Sequence, residues 1–153
     1  MASGIDPTEL SAAVGGPDYG AMELIRDRCF ARDPLVDDVS FDDPISPREL
    51  QVRFVDGFDG ADTARLDVTW YAGGAYRFHY VDEAINWRFD RHPNPHSPEK
   101  HFHEPPDADS ETAVASCITV EEPVLVARAV LQLWRRAYET GSLAELNTAE
   151  NPP

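Results

Sequence analysis

All five histidines of the chain fall within one short stretch, residues 77–103. The same stretch holds the only lysine of the protein, and three prolines stiffen the backbone between the imidazoles. Histidine is the side chain whose ordinary pKa lies nearest to neutral pH, so an imidazole can donate or accept a proton there. One histidine in a proline-rich loop would be an ordinary solvated residue. Five so close together indicate a functional site: His79, His92, His96, His101 and His103.

Metal binding through imidazole is the first chemistry that such a cluster could perform. The spacing of His92 and His96 fits the H-x3-H pattern that occurs in zinc sites. No cysteine is nearby, and Asp90 and Glu99 are the other candidate ligands. A site built from histidine alone, or from histidine and aspartate, is therefore one alternative.

Metal-independent cleavage of RNA is the second chemistry. One imidazole removes the proton of a ribose 2′-hydroxyl, a second protonates the leaving 5′-oxygen, and a cationic side chain stabilises the crowded phosphate. The stretch supplies these cations as Arg77, Arg88 and Lys100, and an aromatic such as Tyr71 could stack on an unpaired base.

Binding without catalysis is the third alternative. Walker, GxGxxG, GxSxG, HExxH and paired CxxC motifs do not occur.

Two strands joined by a glycine-rich turn position the first of these residues. Apolar side chains alternate along both strands: Leu66, Val68 and Trp70 on the first, Tyr76, Phe78 and Tyr80 on the second. A two-residue turn at Gly73-Gly74 would place His79 opposite Val68 and mix the faces. A three-residue loop with a left-handed glycine places Phe78 there instead. We predict the second register, which turns Arg77 and His79 away from the apolar face.

The next predicted strand, residues 86–90, alternates in the same way. Its aromatics join the apolar face if it pairs with the preceding strand, and Arg88 and Asp90 then share a face with Arg77 and His79. Like charges that face each other across a sheet are destabilising. Two arginines together therefore indicate that an anion, or Asp90, lies between them. An ordinary exposed face with an arginine–aspartate ion pair explains the pattern equally well.

The proline-rich segment follows this strand directly, so its histidines emerge from the strand end. Proline favours extended backbone and reduces the entropy lost when a loop becomes ordered. His101 and His103 are two residues apart, and in an extended segment both would face the same way.

The rest of the chain predicts the frame around the site. Asp18 is a candidate N-cap of a helix that runs to about Arg32, and Pro123 begins a second helix that ends near Tyr138, before Gly141. We predict a single α+β domain over residues 18–141: an antiparallel sheet of about five strands, packed on one face by the N-terminal and C-terminal helices. Residues 1–17 and 142–153 are expected to be flexible tails.

The charge balance is strongly acidic, with 28 acidic and 13 basic residues and a net charge of −15. Acid excess with a single lysine is typical of proteins from salt-adapted microbes, and it would ordinarily argue against a nucleic-acid partner. Residues 77–103 nevertheless carry four basic and four acidic side chains, so this stretch is neutral before any histidine is protonated. High salt also screens repulsion between an acidic surface and a phosphate backbone.

Other features of the sequence indicate a cytoplasmic protein. No apolar run is long enough to span a membrane, and the first residues lack the pattern of a signal peptide. Cys29 and Cys117 lie far apart without CxxC partners, so we predict two free thiols.

The order of the motifs resembles the small TumE-like toxins of prokaryotic toxin–antitoxin systems. The resemblance rests on the run Tyr76-Arg-Phe-His-Tyr80, then Arg88-Phe-Asp90, then a proline-punctuated series of histidines that ends in His101-Phe-His103, and a closing helix. It covers roughly residues 50–138. The resemblance implies an RNA-cleaving toxin with an antitoxin as protein partner, and it departs from the family where adjacent histidine pairs are split into His92 and His96 or reduced to Lys100-His101.

The working hypothesis is a toxin-like endoribonuclease that cuts single-stranded RNA by metal-independent acid–base catalysis. The candidate catalytic residues are His79, His96, His101, His103 and Asp90, and the candidate substrate-binding residues are Arg77, Arg88, Lys100 and Tyr71. We expect no cofactor, with zinc as the alternative. The expected partners are RNA and an antitoxin, with a homodimer as a further candidate and no membrane. The alternative function is a non-enzymatic, histidine-rich protein that binds a metal or a partner.

Overall fold

A computed structural model describes residues 14–92 and 99–148, and within these ranges it shows seven strands in one antiparallel sheet. Each strand pairs with the next along the chain, so sequence neighbours are also sheet neighbours. The strands are β1 Val36–Phe41, β2 Leu50–Phe54, β3 Ala64–Trp70, β4 Tyr76–Asp82, β5 Asn86–Arg91, β6 Lys100–His103 and β7 Val114–Ala115.

Two helices cover one face of this sheet, as the sequence predicts. Helix α1 spans Tyr19–Ile25 and continues as a π-helical turn over Arg26–Phe30, and helix α2 spans Pro123–Thr140. The predicted caps are confirmed. The Asp18 carboxylate accepts a hydrogen bond from the N–H of Ala21 at 3.0 Å. Gly141 ends α2 in the left-handed conformation, with φ of 69°.

The predicted number of strands, about five, is wrong. The additional strands include β6, a segment that the sequence predicts only as extended backbone. Strand β6 has four residues, of which only Phe102 is apolar, so it offers too few positions for an alternating pattern. Its place in the sheet comes from pairing with β5, where Phe102 lies opposite Phe89.

The predicted hairpin register is confirmed. Phe78 pairs with Val68 and Tyr76 pairs with Trp70, and Gly74 in the connecting loop has a φ of 94°. Alternation along the strands then directs apolar side chains toward the helices. The buried residues of this face include Leu50, Val52, Leu66, Val68, Trp70, Tyr76, Phe78, Tyr80, Trp87, Phe89 and Phe102, and α2 adds Val126, Val130 and Trp134.

Residues inside both of the expected tails, 1–17 and 142–153, contact the domain. The N–H of Gly73 donates to the carbonyl of Val14 at 3.0 Å. At the other end Leu146 is buried, and the Asn147 amide accepts a hydrogen bond from the N–H of Cys117 at 2.7 Å. In the described part of the chain neither helix has the length and apolar character needed to cross a membrane.

The aromatic layer under the site should be a main source of stability. Phe89 lies between Arg88 and Asp90 in the chain, is fully buried, and packs on Phe102 with ring centroids 4.6 Å apart. We expect Phe89→Ala to lower the free energy of unfolding by about 3–5 kcal/mol, because it removes an aromatic ring and leaves a cavity. Urea denaturation of wild type and variant measures this difference in the free energy of unfolding. The half-exposed control Val55→Ala should stay within about 0.5 kcal/mol of wild type; equal losses in both variants would contradict the packing.

Candidate active site

Cross-strand pairing surrounds Asp90 with basic side chains on the sheet face away from the helices, here called the polar face. Arg77 on β4 pairs with Asp90 from one side, and His101 on β6 pairs with it from the other. Arg88 precedes Asp90 by two residues on β5 and so projects from the same face. His103 pairs with Arg88 and completes the group. Alternation and register together therefore bring two guanidinium groups and two imidazoles around one carboxylate.

The Asp90 carboxylate contacts these groups directly. Arg88 Nε donates a hydrogen bond to Asp90 Oδ2 at 2.8 Å, and His103 Nε2 lies 3.1 Å from the same oxygen. His101 Nε2 is 3.7 Å from Oδ2, and Arg77 Nε is 3.8 Å from Oδ1; both separations are electrostatic contacts rather than hydrogen bonds. Asp90 is only 2% exposed. A charge buried this deeply requires such compensation.

The surroundings keep Asp90 ionised. Burial raises the pKa of its carboxyl group, but the neighbouring His101 imidazole and the guanidinium groups of Arg88 and Arg77 lower it by more. The resulting pKa lies below the ordinary range of an aspartate. Asp90 is therefore an anionic anchor at neutral pH and is unsuited to donate a proton there.

His103 is held by three partners. Its Nε2 lies near Asp90 Oδ2 and 3.2 Å from Arg88 Nη2, while Nδ1 lies 3.4 Å from the carbonyl oxygen of Asp109. Burial and the Arg88 charge lower the pKa of His103, which favours a neutral ring. Because arginine can only donate, we assign the neutral tautomer in which Nδ1–H donates to the Asp109 carbonyl and Nε2 accepts from Arg88, whose guanidinium thereby bridges the two acceptors His103 Nε2 and Asp90 Oδ2.

Three imidazoles form a row from the interior of the polar face toward the surface. The rings of His103 and His101 contact each other edge to face with centroids 4.8 Å apart, and His101 contacts His92 at the same distance. His103 and His101 are 3% and 2% exposed, whereas His92 is half-buried. From the sequence, His92 is a member of the histidine cluster and a candidate zinc ligand with His96, but it is not among the candidate catalytic residues. The signal was present, because His92 follows Asp90 by two residues and alternation places both on one face.

A concavity of about 360 Å³ opens beside this row. Its walls include Tyr71, Arg77, Asp90 and His92, so two candidate substrate-binding side chains meet the anchor there. Asp90 Oδ1 is buried and accepts no hydrogen bond from the described residues. A ligand that donates a hydrogen bond would satisfy this oxygen.

The remaining candidates lie apart from this centre. His79 is on the polar face but pairs with Arg88, and its Nε2 lies 3.1 Å from Asn86 Oδ1, on the side away from the concavity. Two strand spacings, roughly 10 Å, separate β4 from β6. Lys100 projects to the helix side, where its Nζ donates to the Thr119 carbonyl at 3.0 Å and pairs with Glu121. His96 lies outside the described residues.

The arrangement could hold either a phosphate or a metal ion. An anion at the mouth of the concavity would meet Arg77, whose side chain is 54% exposed, and would have imidazoles beside it. A cation would instead use Asp90, His101 and His103, whose ligand atoms all lie within 4.8 Å of one another. Both functions depend on the same buried carboxylate.

Comparison with known proteins finds one family. A family model described as Toxin TumE matches residues 26–140, which include every strand and the whole of α2. No curated protein and no solved structure matches the chain.

The lowered pKa of His103 predicts how stability depends on pH. Between the folded pKa and the ordinary value of about 6.5, the unfolded chain binds a proton at this position and the folded chain does not. The free energy of unfolding should therefore decrease as the pH falls through this window. The Asp90 contribution is lost only below an ordinary aspartate pKa of about 3.9, so the two effects are separable. The free energy of unfolding, measured by denaturation between about pH 7.5 and 5.5, should depend less steeply on pH in His103→Gln than in wild type. An unchanged dependence on pH would exclude this role for His103.

Proposed function

The chain belongs to the family described as Toxin TumE, and from this premise we propose that it is a toxin that cuts single-stranded RNA without a metal ion. The observation that carries the proposal is the buried Asp90 carboxylate, which holds guanidinium and imidazole groups beside an open concavity. Cleavage of RNA through its 2′-hydroxyl requires this combination of groups and no other cofactor. As a member of a toxin family, the protein is expected to have a cognate antitoxin as its protein partner.

His92 and His101 are the acid–base pair that the geometry favours. Their rings are in contact, and His92 lines the concavity together with Arg77, whereas His101 is 2% exposed and lies behind His92, so it reaches the substrate only after a side-chain rearrangement on RNA binding. One imidazole takes the proton of the 2′-hydroxyl as its oxygen attacks phosphorus. The other gives a proton to the departing 5′-oxygen, so that the products are a 2′,3′-cyclic phosphate and a 5′-hydroxyl end. His96 remains a candidate for either role.

Arg77 is the proposed phosphate ligand. Its guanidinium is half-exposed at the concavity while Asp90 fixes its position from below, so a phosphate can approach it without displacing the anchor. Charge develops on the non-bridging oxygens in the transition state, and a fixed cation stabilises that state more than the substrate. Arg88 is less exposed, at 19%, and acts on Asp90 and His103 instead.

RNA binding is supported by a series of arginines across the polar face. Strands β2 to β5 each contribute one: Arg53, Arg65, Arg77 and Arg88. Tyr71 lines the concavity at one end of this series and offers a ring on which an unpaired base can stack. Arg65 is paired with Asp67 and Arg88 with Asp90, so the exposed Arg53 and Arg77 are the cations of this series that can counter the net charge of −15 toward a polyanion.

Cleavage should survive the removal of metal ions. Purified protein incubated with single-stranded RNA and excess EDTA should give cyclic-phosphate ends, and moderate salt should support activity because it screens the acidic surface. End-group analysis by mass spectrometry measures the products. Activity that EDTA abolishes and that a divalent ion restores would contradict the proposed mechanism.

Variants of the polar face should separate chemistry from binding. We expect His92→Ala and His101→Ala each to lower the cleavage rate by about 10²–10⁴-fold, because each removes a proton-transfer group. His79→Ala should cost less than about tenfold, since His79 lies two strands from His101. Arg77→Ala should lower the rate by about 10²-fold.

The matched control is Arg128→Ala, an exposed arginine on helix α2 at the other side of the sheet. It should leave the cleavage rate unchanged. Thermal melting of each variant tests whether a loss reflects unfolding. Full activity in the double variant His79→Ala, His101→Ala would exclude the catalytic assignment.

A further inference from the structure

We propose that Asp90, His101 and His103 form a binding site for a single transition-metal dication, with Zn²⁺ as the probe that identifies it. The site overlaps the proposed catalytic centre. Occupation of the site is independent of whether the protein cuts RNA. Its consequence, inhibition of cleavage by the metal, rests on the proposed function.

The ligand atoms have the separations of a metal site. Zn²⁺ binds nitrogen and oxygen at about 2.0–2.2 Å, so the ligand atoms of a tetrahedral site lie roughly 3.4 Å apart. In the fold, Asp90 Oδ2 is 3.1 Å from His103 Nε2 and 3.7 Å from His101 Nε2. The third separation, between His101 and His103, is at most 4.8 Å, and side-chain rotations that shorten the longer separations would bring all three atoms onto one ion. Two imidazoles and one carboxylate leave a fourth position for water, as in metal sites that stay open.

The outer contacts of the trio suit metal ligation. A metal-bound histidine usually donates its second ring N–H to a carbonyl or carboxylate, which fixes the tautomer and the ring orientation. His103 Nδ1 faces the carbonyl oxygen of Asp109 at 3.4 Å and has this partner in place. Arg88 Nε likewise orients the Asp90 carboxylate. All three proposed ligands are at least 97% buried, so little conformational freedom is lost when a metal binds.

Arg88 competes with the metal for the same atoms. Its Nη2 lies 3.2 Å from His103 Nε2, the lone pair that a metal would use. A bound dication must displace this contact, and it is also repelled by the guanidinium charge. Arg88 therefore keeps the metal affinity low enough for the imidazoles to remain available. Because a metal would take His101 and hold the Asp90 anchor, it would remove a proposed catalytic imidazole and stop cleavage.

Direct binding of Zn²⁺ tests the inference. The full chain is titrated with Zn²⁺ in competition with a chromogenic chelator, and Co²⁺ absorption spectra report the coordination. Wild type should bind one ion. His101→Gln and His103→Gln should each weaken binding by about 10–100-fold or more, because each loses one ligand. The control His79→Gln changes a histidine of the same face outside the trio and should bind as wild type does.

The variant Arg88→Gln provides the second readout. If Arg88 competes with the metal, this variant should bind Zn²⁺ at least tenfold more tightly than wild type, whereas a merely structural role for Arg88 would weaken binding. This outcome does not depend on the folding of the ligand-deleted variants. Absence of one-to-one binding in both wild type and Arg88→Gln would overturn the proposal, as would binding that only His79→Gln removes.

Cleavage assays on the same samples separate the two proposals. Zinc binding by the trio without RNA cleavage would refute the proposed function and leave the metal site standing. Metal-independent cleavage without zinc binding would refute the metal site and leave the proposed function standing. Cleavage that Zn²⁺ inhibits, with relief by EDTA and a lower inhibitory concentration for Arg88→Gln, is the result expected if both hold.

Discussion

The ionised carboxylate of Asp90, almost fully removed from water, is the constraint that organises the polar face. A buried charge without partners costs far more than a small domain can offset, so the fold must supply cations and hydrogen-bond donors around it. Arg88 supplies a hydrogen bond, and Arg77 and His101 supply nearby positive or polarisable groups. One buried oxygen still accepts no hydrogen bond from the described residues. The site is thus nearly balanced electrostatically, with one acceptor left for a ligand.

A buried charge can be compensated on one face because the antiparallel sheet separates an apolar environment on its helix side from the polar face. Its helix side packs aromatic rings into a continuous core, which holds the strands in register. Its polar face receives every alternate side chain of the same strands. A slip of one residue between β4 and β5 would turn Arg77 or Asp90 into the aromatic layer, so core packing and site geometry are enforced together. Stability of the core and integrity of the site should therefore be lost together.

The polar face also bears on the proposed binding of RNA by an acidic protein. The net charge of −15 repels a polyanion at long range, and the exposed guanidinium groups of Arg53 and Arg77 are the cations of this face that an anion could approach. Salt shortens the range of the repulsion more than it weakens contacts inside a partly buried site. The guanidinium of Arg88 would also disfavour a bound metal, so under both proposals Arg88 influences which of the two ligands the centre accepts.

Local patterns in the sequence were sufficient to predict the hairpin register, both helix caps and a shared sheet face for four residues: Arg77, His79, Arg88 and Asp90. These features depend on periodicity and turn chemistry over a few residues, which a single sequence displays. The tertiary structure decided the rest. Pairing of β6 with β5 buried His101 and His103 against Asp90, turned Lys100 to the helix side, and brought His92 into the imidazole row. A four-residue strand with one apolar side chain carries almost no local signal. Its position depends on burying Phe102 against Phe89 and on placing His101 beside Asp90, and both contacts depend on residues that only the folded chain brings together.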